Sequence, residues 1–180
     1  HETFMPGIRA LCDKYGILLI SDEVITGFGR TGDWSGARHW KVKPDMMTCA
    51  KAITSAYYPF GATMIGEKVA EVFENDETGA ASIGHGYTYS AHPVGAAAAI
   101  ACLNETKRME LNINAKVRGA QIFDAVNQLK NKYDIIGDVR GGHGLMTALE
   151  FVSDQTTKTP LDNASMAKIQ KTAYENGAFV

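Results

Sequence analysis

A short apolar run with a polar end constrains the fold of this chain more than any other feature. Residues 17–20 are Ile-Leu-Leu-Ile, and Ser21, Asp22 and Glu23 follow directly. Four apolar residues are too few for a helix, and such a run is typical of a parallel strand covered on both faces. A helix ending at Tyr15 and closed by Gly16 is predicted before it. This alternation predicts an α/β layered domain.

The rest of the chain continues the alternation and then changes character near residue 133. Further predicted strands cover residues 44–49, 61–66, 135–136 and 145–152, and predicted helices cover 67–75, 94–108, 112–133 and 162–176, with Asn112 as an N-cap and a glycine-rich turn at 141–144. We therefore expect a large domain over residues 1–133 and a smaller α+β domain over 134–180. Both are expected to be partial, since the chain lacks an initial Met and stops at what resembles the start of a strand.

Composition excludes several classes of protein. The 180 residues are 45% hydrophobic and 21% charged, which is enough apolar material for a core. Because 18 Lys and Arg face 20 Asp and Glu, the chain has no long-range attraction for nucleic acid or an anionic membrane. Three widely separated cysteines predict reduced thiols in a cytoplasmic protein instead of a disulfide framework.

Two charged residues stand directly after predicted strands. In open α/β sheets, ligands bind beyond the carboxyl ends of the strands, where Asp22 and Lys51 both fall. A lysine there can act as a nucleophilic amine, and a fixed carboxylate can face a nitrogen heterocycle. Pyridoxal phosphate chemistry needs this pair. The alternative is that Asp22 caps a turn and Lys51 is a solvated surface residue.

Two other segments have binding potential. Residues 27–32 spell G-x-G-x-x-G, but they do not follow a strand directly or open a long apolar helix, which favours a tight loop over a dinucleotide site. The segment from His85 to Pro93 places hydroxyl groups before a helix, where Thr88 and Ser90 could bind an anion or simply form a capped loop. No metal site is predicted, since His85 and His92 have no further ligand at suitable spacing.

These segments together resemble the class III aminotransferases, which are pyridoxal-phosphate enzymes of fold type I. The resemblance is carried by LLISDEVITGFGRTG at residues 18–32, and by four further segments in the same order and spacing: 43–51, 58–62, 85–90 and 139–146. It covers nearly the whole chain. It implies part of the large cofactor-binding domain, with a mixed, mostly parallel sheet and helices on both faces, and the start of the C-terminal small domain.

The resemblance implies a role for each matching residue. Lys51 would hold the cofactor as a Schiff base and move the proton during catalysis, while Asp22 would pair with the pyridine nitrogen. Val24 would pack on the ring, and Thr88 would bind the cofactor phosphate across the interface of a homodimer or homotetramer. The reaction would be a ping-pong transfer of an amino group from an amine to an oxo acid.

Residues 33–36, 39–40 and 53–59 most resemble the omega-amino acid:pyruvate transaminases. Pyruvate is therefore the expected acceptor. The alternatives are a glutamate-1-semialdehyde-type aminomutase, an ornithine- or diaminopelargonate-type transaminase, or an inactive fragment, because family members are more than twice this length. In this chain Ala52, Ala56 and Ala91 stand where glycine is common in the family, and each adds a methyl group near the cofactor side.

Overall fold

The computed structural model describes residues 1–179, which divide into two compact units after Val117. The helices are α1 (Phe4–Tyr15), α2 (Gly36–His39), α3 (Glu67–Glu74), α4 (Pro93–Arg108), α5 (Leu111–Lys132) and α6 (Asn163–Glu175). The strands are β1 (Ile20–Asp22), β2 (Met46–Cys49), β3 (Ala62–Ile65), β4 (Ile136–His143), β5 (Met146–Asp154) and β6 (Thr159–Pro160). The α/β prediction is confirmed, and the domain boundary after residue 133 stays a prediction.

The first unit contains a mixed sheet in the order β1-β2-β3. Strands β1 and β2 are parallel, with Asp22 opposite Thr48, and β3 runs antiparallel to β2. The carboxyl ends of β1 and β2 therefore lie at one edge of the sheet.

Helices α1 and α4 contact the same face of the sheet. Leu19 is buried against Cys12 of α1, and Cys49 is buried against Ala99 of α4. Side chains alternate along a strand, and the strand register places Leu19 and Cys49 on the same face. On the opposite face Ile20 stays 53% exposed.

Less of the apolar run at residues 17–20 is in a strand than the sequence predicts, and fewer of its side chains are buried. The strand begins at Ile20, and of the four residues Leu19 is the buried one. The reason is that β1 is an edge strand of this sheet, and the packing of α1 is on the face of Leu19, opposite Ile20.

An ion pair connects α1 to the amino end of the sheet. The Arg9 guanidinium lies 2.8 Å from Asp45 Oδ2, which also accepts a 2.7 Å hydrogen bond from the Leu19 N–H. This N–H bond and the Arg9 contact hold the pKa of Asp45 below its ordinary value. Asp45 therefore joins α1 to the starts of β1 and β2.

The second unit is an antiparallel sheet of β4, β5 and β6 with α6. Val152 of β5 is 1% exposed, and Gly137 lies so close to it that a methyl carbon there would come within 2.6 Å of the valine side chain. The glycine-rich turn is shorter than the predicted range 141–144. Strand β4 continues to His143, and the turn consists of Gly144 and Leu145. Helix α5 begins at Leu111, so the prediction that Asn112 is its N-cap was wrong.

The most buried charged group of the first unit is the carboxylate of Glu23, which is 1% exposed. It accepts hydrogen bonds from the Ser21 and Thr26 hydroxyls and, at 2.7 Å each, from the N–H groups of Gly36 and Ala37. Burial alone would raise the pKa of Glu23, but these hydrogen bonds outweigh it and hold the pKa below its ordinary value. Glu23 therefore fixes the first turn of α2 to the end of β1.

Glu23→Gln is expected to lower the free energy of unfolding by about 2–3 kcal/mol, because the amide NH₂ would face other donors and leave buried groups unpaired. The deficit should shrink as the pH falls. A depressed folded pKa gives stability that is present above the ordinary value of 4.5 and is lost as pH drops through the folded value. Urea unfolding of both proteins from neutral pH to below pH 4.5 measures this. Glu105→Gln, at an exposed pair with Arg108, is the control, and equal losses in both variants would contradict the role of Glu23.

Two alanines occupy left-handed backbone, with φ of +62° at Ala56 and +57° at Ala91. An L-residue there is strained because its Cβ crowds the following carbonyl oxygen, at a cost of about 1–2 kcal/mol. The extra methyl group at each of these two positions therefore strains the backbone of its own residue.

Ala56→Gly and Ala91→Gly should each raise the free energy of unfolding by about 0.5–1 kcal/mol, since the relieved strain exceeds the added flexibility of the unfolded chain. Ala120→Gly, at an exposed position of α5, should lower it by about 1 kcal/mol. Denaturant titration compares the three variants. A loss of stability in all of them would show that the left-handed positions are not strained.

Candidate functional site

Lys51 stands at the carboxyl end of β2. The strand ends at Cys49, and Lys51 opens a single turn of 3₁₀ helix that extends to Ile53. Its backbone is left-handed, with φ of +45°, and its side chain is exposed. Within residues 1–179 its ammonium group has no hydrogen bond or ion pair, so the amine is open to a ligand.

Asp22 is the last residue of β1 and is also exposed. Its Oδ1 accepts a 3.0 Å hydrogen bond from the N–H of Val24, and Oδ2 has no hydrogen-bond partner in the described part of the chain. Since β1 and β2 are parallel and Asp22 lies opposite Thr48, three residues before Lys51, the structure brings the carboxylate and the amine to the same edge of the sheet. Val24 follows Asp22 in the turn after β1 and is half-buried.

The nearest thiol differs from the amine in its accessibility. Cys49 is 3% exposed, packs with Ile53 and Ala99, and points its Sγ at the Ala62 carbonyl oxygen, 3.5 Å away. Burial raises the pKa of this thiol, and the Glu23 carboxylate adds to the effect. At this edge Lys51 is therefore the accessible nucleophile.

Thr88 lies in a turn just before α4. Its side chain is exposed, and no hydrogen bond joins it to Asp22 or Lys51 in the described chain. The neighbouring Ser90 hydroxyl accepts a 3.2 Å bond from the Tyr87 N–H, and His92 caps α4 by accepting from the Val94 N–H at 3.3 Å. The structure thus shows a capped loop that leaves the Thr88 hydroxyl available.

The glycine-rich segment forms turns and does not form a dinucleotide motif. Gly29 and Gly32 have φ of +115° and +81°, and Phe28 is also left-handed. The next helix, α2, has four residues and begins at Gly36, so it is not the long helix that a pyrophosphate motif requires. The expectation of a tight loop is in agreement with this geometry.

Two residues of this region were missed by sequence reasoning. Glu23 next to Asp22 is the buried anchor described above, and Thr54 is a buried threonine after Lys51 whose hydroxyl donates a 2.7 Å bond to the Tyr58 carbonyl oxygen. The sequence offers a partial signal for Glu23, a second carboxylate at the end of a buried strand, and none for Thr54.

Two groups at this edge suit pyridoxal phosphate by their chemistry: a primary amine for an aldehyde, and a carboxylate with a free oxygen for a protonated ring nitrogen. Among residues 1–179 no three His, Cys, Asp or Glu side chains come together as possible metal ligands. Nor does the described chain contain a helix long and apolar enough to cross a bilayer.

Comparison with known proteins agrees with this chemistry. The sequence model of the family "Aminotransferase class-III" matches residues 1–180. A diaminobutyrate–2-oxoglutarate transaminase of Halomonas elongata is 41% identical over 89% of this chain and 34% of its own length. A taurine–pyruvate aminotransferase of Bilophila wadsworthia is 38% identical, over 96% of this chain and 38% of its own.

Among solved structures, an amine transaminase from an uncultivated Pseudomonas species, crystallised in its PLP-bound form, superimposes with a TM-score of 0.93 at 44% identity. The match covers 99% of this chain and 40% of the Pseudomonas chain. The chain thus spans 34% to 40% of the length of these relatives, as the predicted internal fragment would. The fold is part of the large domain of a fold type I transaminase, the cofactor of these enzymes is pyridoxal phosphate, and the chain belongs to the class III aminotransferases.

Proposed function

We propose that the full-length protein transfers an amino group from an amine or an omega-amino acid to pyruvate, in two half-reactions of ping-pong form. The observation that carries the proposal is that Asp22 and Lys51 lie at the same edge of the sheet. Asp22 Oδ2 and the Lys51 amine both lack a hydrogen-bond partner in the described chain. The family match and the Pseudomonas amine transaminase support it.

Bound pyridoxal phosphate supplies an electron sink that stabilises negative charge on the substrate carbon. Lys51 Nζ would hold the cofactor, take a proton from the donor in the first half-reaction, and return one in the second. The free Asp22 Oδ2 would keep a proton on the ring nitrogen, and the half-buried Val24 would pack on the ring. The structure supports these roles by leaving the Lys51 amine and Asp22 Oδ2 open.

We infer that Thr88 binds the cofactor phosphate in the neighbouring subunit of a homodimer or homotetramer. Its exposed hydroxyl has no partner within the described chain, which is what a group completed by another subunit requires. The domain boundary is proposed to follow α5, because β4 opens a separate antiparallel sheet. The three free thiols favour a cytoplasmic location.

Relatives support two acceptors. The Bilophila enzyme is named for pyruvate and the Halomonas enzyme for 2-oxoglutarate. We choose pyruvate because residues 33–36, 39–40 and 53–59 resemble the pyruvate-dependent subgroup. The test compares alanine formation from pyruvate with glutamate formation from 2-oxoglutarate, using the same donor. Faster glutamate formation would show that 2-oxoglutarate is the acceptor instead of pyruvate.

The role of Lys51 predicts a specific covalent adduct in the full-length protein. Borohydride reduction in the presence of pyridoxal phosphate should fix the cofactor on Lys51, as peptide mass mapping would show. Lys51→Ala should lose this adduct and at least about a thousandfold of the transamination rate, because the proton-transfer group is gone. Lys43→Ala, at an exposed lysine before β2, is the matched control. Normal activity of the Lys51 variant would overturn the assignment.

The role of Asp22 predicts a kinetic defect without loss of the adduct. Asp22→Asn should lower kcat by about a hundredfold or more, since the charge that keeps the ring nitrogen protonated is removed. Labelling of Lys51 should persist. Asp13→Asn, at an exposed carboxylate of α1, should leave kcat unchanged. A defect in kcat that is equal in the two variants would show that Asp22 has no special role.

A further inference from the structure

The backbone that carries Lys51 is strained. Lys51, Ser55 and Ala56 have φ of +45°, +49° and +62°, so three L-residues within six positions are left-handed. Each such residue costs about 1–2 kcal/mol, and the conformation persists only where surrounding contacts impose it. Some other group must therefore hold this segment in place.

The lysine side chain does not hold it, because within residues 1–179 the Lys51 ammonium group has no partner. Two of the three backbone hydrogen bonds in this turn are long. The Thr54 N–H reaches the Lys51 carbonyl oxygen at 3.3 Å, and the Ser55 N–H reaches that of Ala52 at 3.3 Å, while the Ile53 N–H reaches that of Ala50 at 3.1 Å. The two long bonds exceed the usual N–H···O length of about 2.7–3.2 Å and restrain the segment weakly.

Thr54 supplies a stronger connection. It is 1% exposed, and its hydroxyl donates a 2.7 Å hydrogen bond to the Tyr58 carbonyl oxygen, while its own carbonyl accepts from the Tyr57 N–H at 3.0 Å. These two bonds span the left-handed residues 55 and 56. Breaking the hydroxyl bond would leave a carbonyl without its partner beside the lysine segment.

Helix α4 supports both ends of the loop. Ile53 is buried with Cys49 and Ala99, which fixes the start of the loop to the helix. At its far end, a methyl carbon added to Gly95 would come within 2.6 Å of the Phe60 ring and 3.1 Å of Tyr58. The ends of this loop, Ile53 and Phe60, are thus held by α4, and the Thr54 hydroxyl bond connects residues within the loop.

We propose that Thr54 is a positioning residue for Lys51: its hydroxyl bond to the Tyr58 carbonyl fixes the backbone from which the Lys51 amine is presented. The proposal rests on the proposed role of Lys51 and extends it. A lysine that is positioned through its backbone keeps a mobile amine, and such an amine can both hold a cofactor and move a proton.

The test uses the full-length protein with three variants. Thr54→Val removes the hydroxyl at nearly equal volume, and Thr54→Ser keeps it. Thr106→Val is the matched control, because Thr106 is 8% exposed and its hydroxyl donates a 2.9 Å bond to the Cys102 carbonyl oxygen within α4. The readouts are the rate at which cofactor-free protein captures added pyridoxal phosphate on Lys51, the pH midpoint of the visible absorbance of the bound cofactor, and the temperature of unfolding.

Thr54→Val should slow capture by about tenfold, the factor that corresponds to one buried hydrogen bond. It should also shift the pH midpoint, because a misplaced amine changes the surroundings of the titrating nitrogen. Thr54→Ser should restore both values, and Thr106→Val should match the wild type. If Thr54→Val unfolds at a lower temperature than the control, the capture rate and pH midpoint of Thr54→Ser decide whether the hydroxyl is responsible for the defects.

Two outcomes would overturn the proposal. Thr54→Val could match Thr106→Val in capture rate and pH midpoint, or Thr54→Ser could share the defects of Thr54→Val despite its hydroxyl. Failure of the proposed role of Lys51 has a different result, since the wild-type protein would then not be labelled at Lys51 at all.

Discussion

The arrangement at the edge of the sheet depends on one buried carboxylate. Among residues 1–179 Glu23 forms no ion pair, and its buried charge is stabilised by two hydroxyls and by two N–H groups at the start of α2. Burying a charge in this way is tolerable only when its oxygens are fully bonded. Glu23 directly follows β1 and its N–H still bonds to the Thr48 carbonyl oxygen, so the alternation of the strand extends to it. Because neighbouring side chains point to opposite faces, fixing Glu23 inward also directs Asp22 outward, where a ligand can reach it.

Much of the fold was predictable because its signals are local. Gly16 closes α1 in the left-handed conformation, and the short apolar runs before Asp22 and Lys51 become strands that end at one edge. The start of α5 was misplaced by two residues, since capping preference at Asn112 does not determine where the helical backbone begins. Coverage of residues 17–20 was overestimated, because strand composition does not tell whether both faces are packed within the same stretch of chain.

The candidate site was predictable only in part. Asp22 and Lys51 follow strands, so topology alone places them together. Glu23 was missed because its partners lie 13 and 14 residues further along the chain, and no spacing rule connects them. Thr54 was missed because its partner is a backbone carbonyl, which has no sequence signature. Thr88 was predicted as an anion ligand from its position before α4 and as a phosphate ligand from the family resemblance, and its role stays a prediction.

The burial of Cys49 gives this edge of the sheet a chemical selectivity. A thiol and an amine lie two residues apart, and both can add to an aldehyde in principle. The thiol is enclosed, protonated and turned toward a carbonyl oxygen, while the amine faces outward. An electrophile that approaches this edge therefore meets nitrogen first. Reagents directed at sulfur have little access to this position, so the lysine can be modified in the presence of its neighbouring cysteine without blocking that cysteine beforehand.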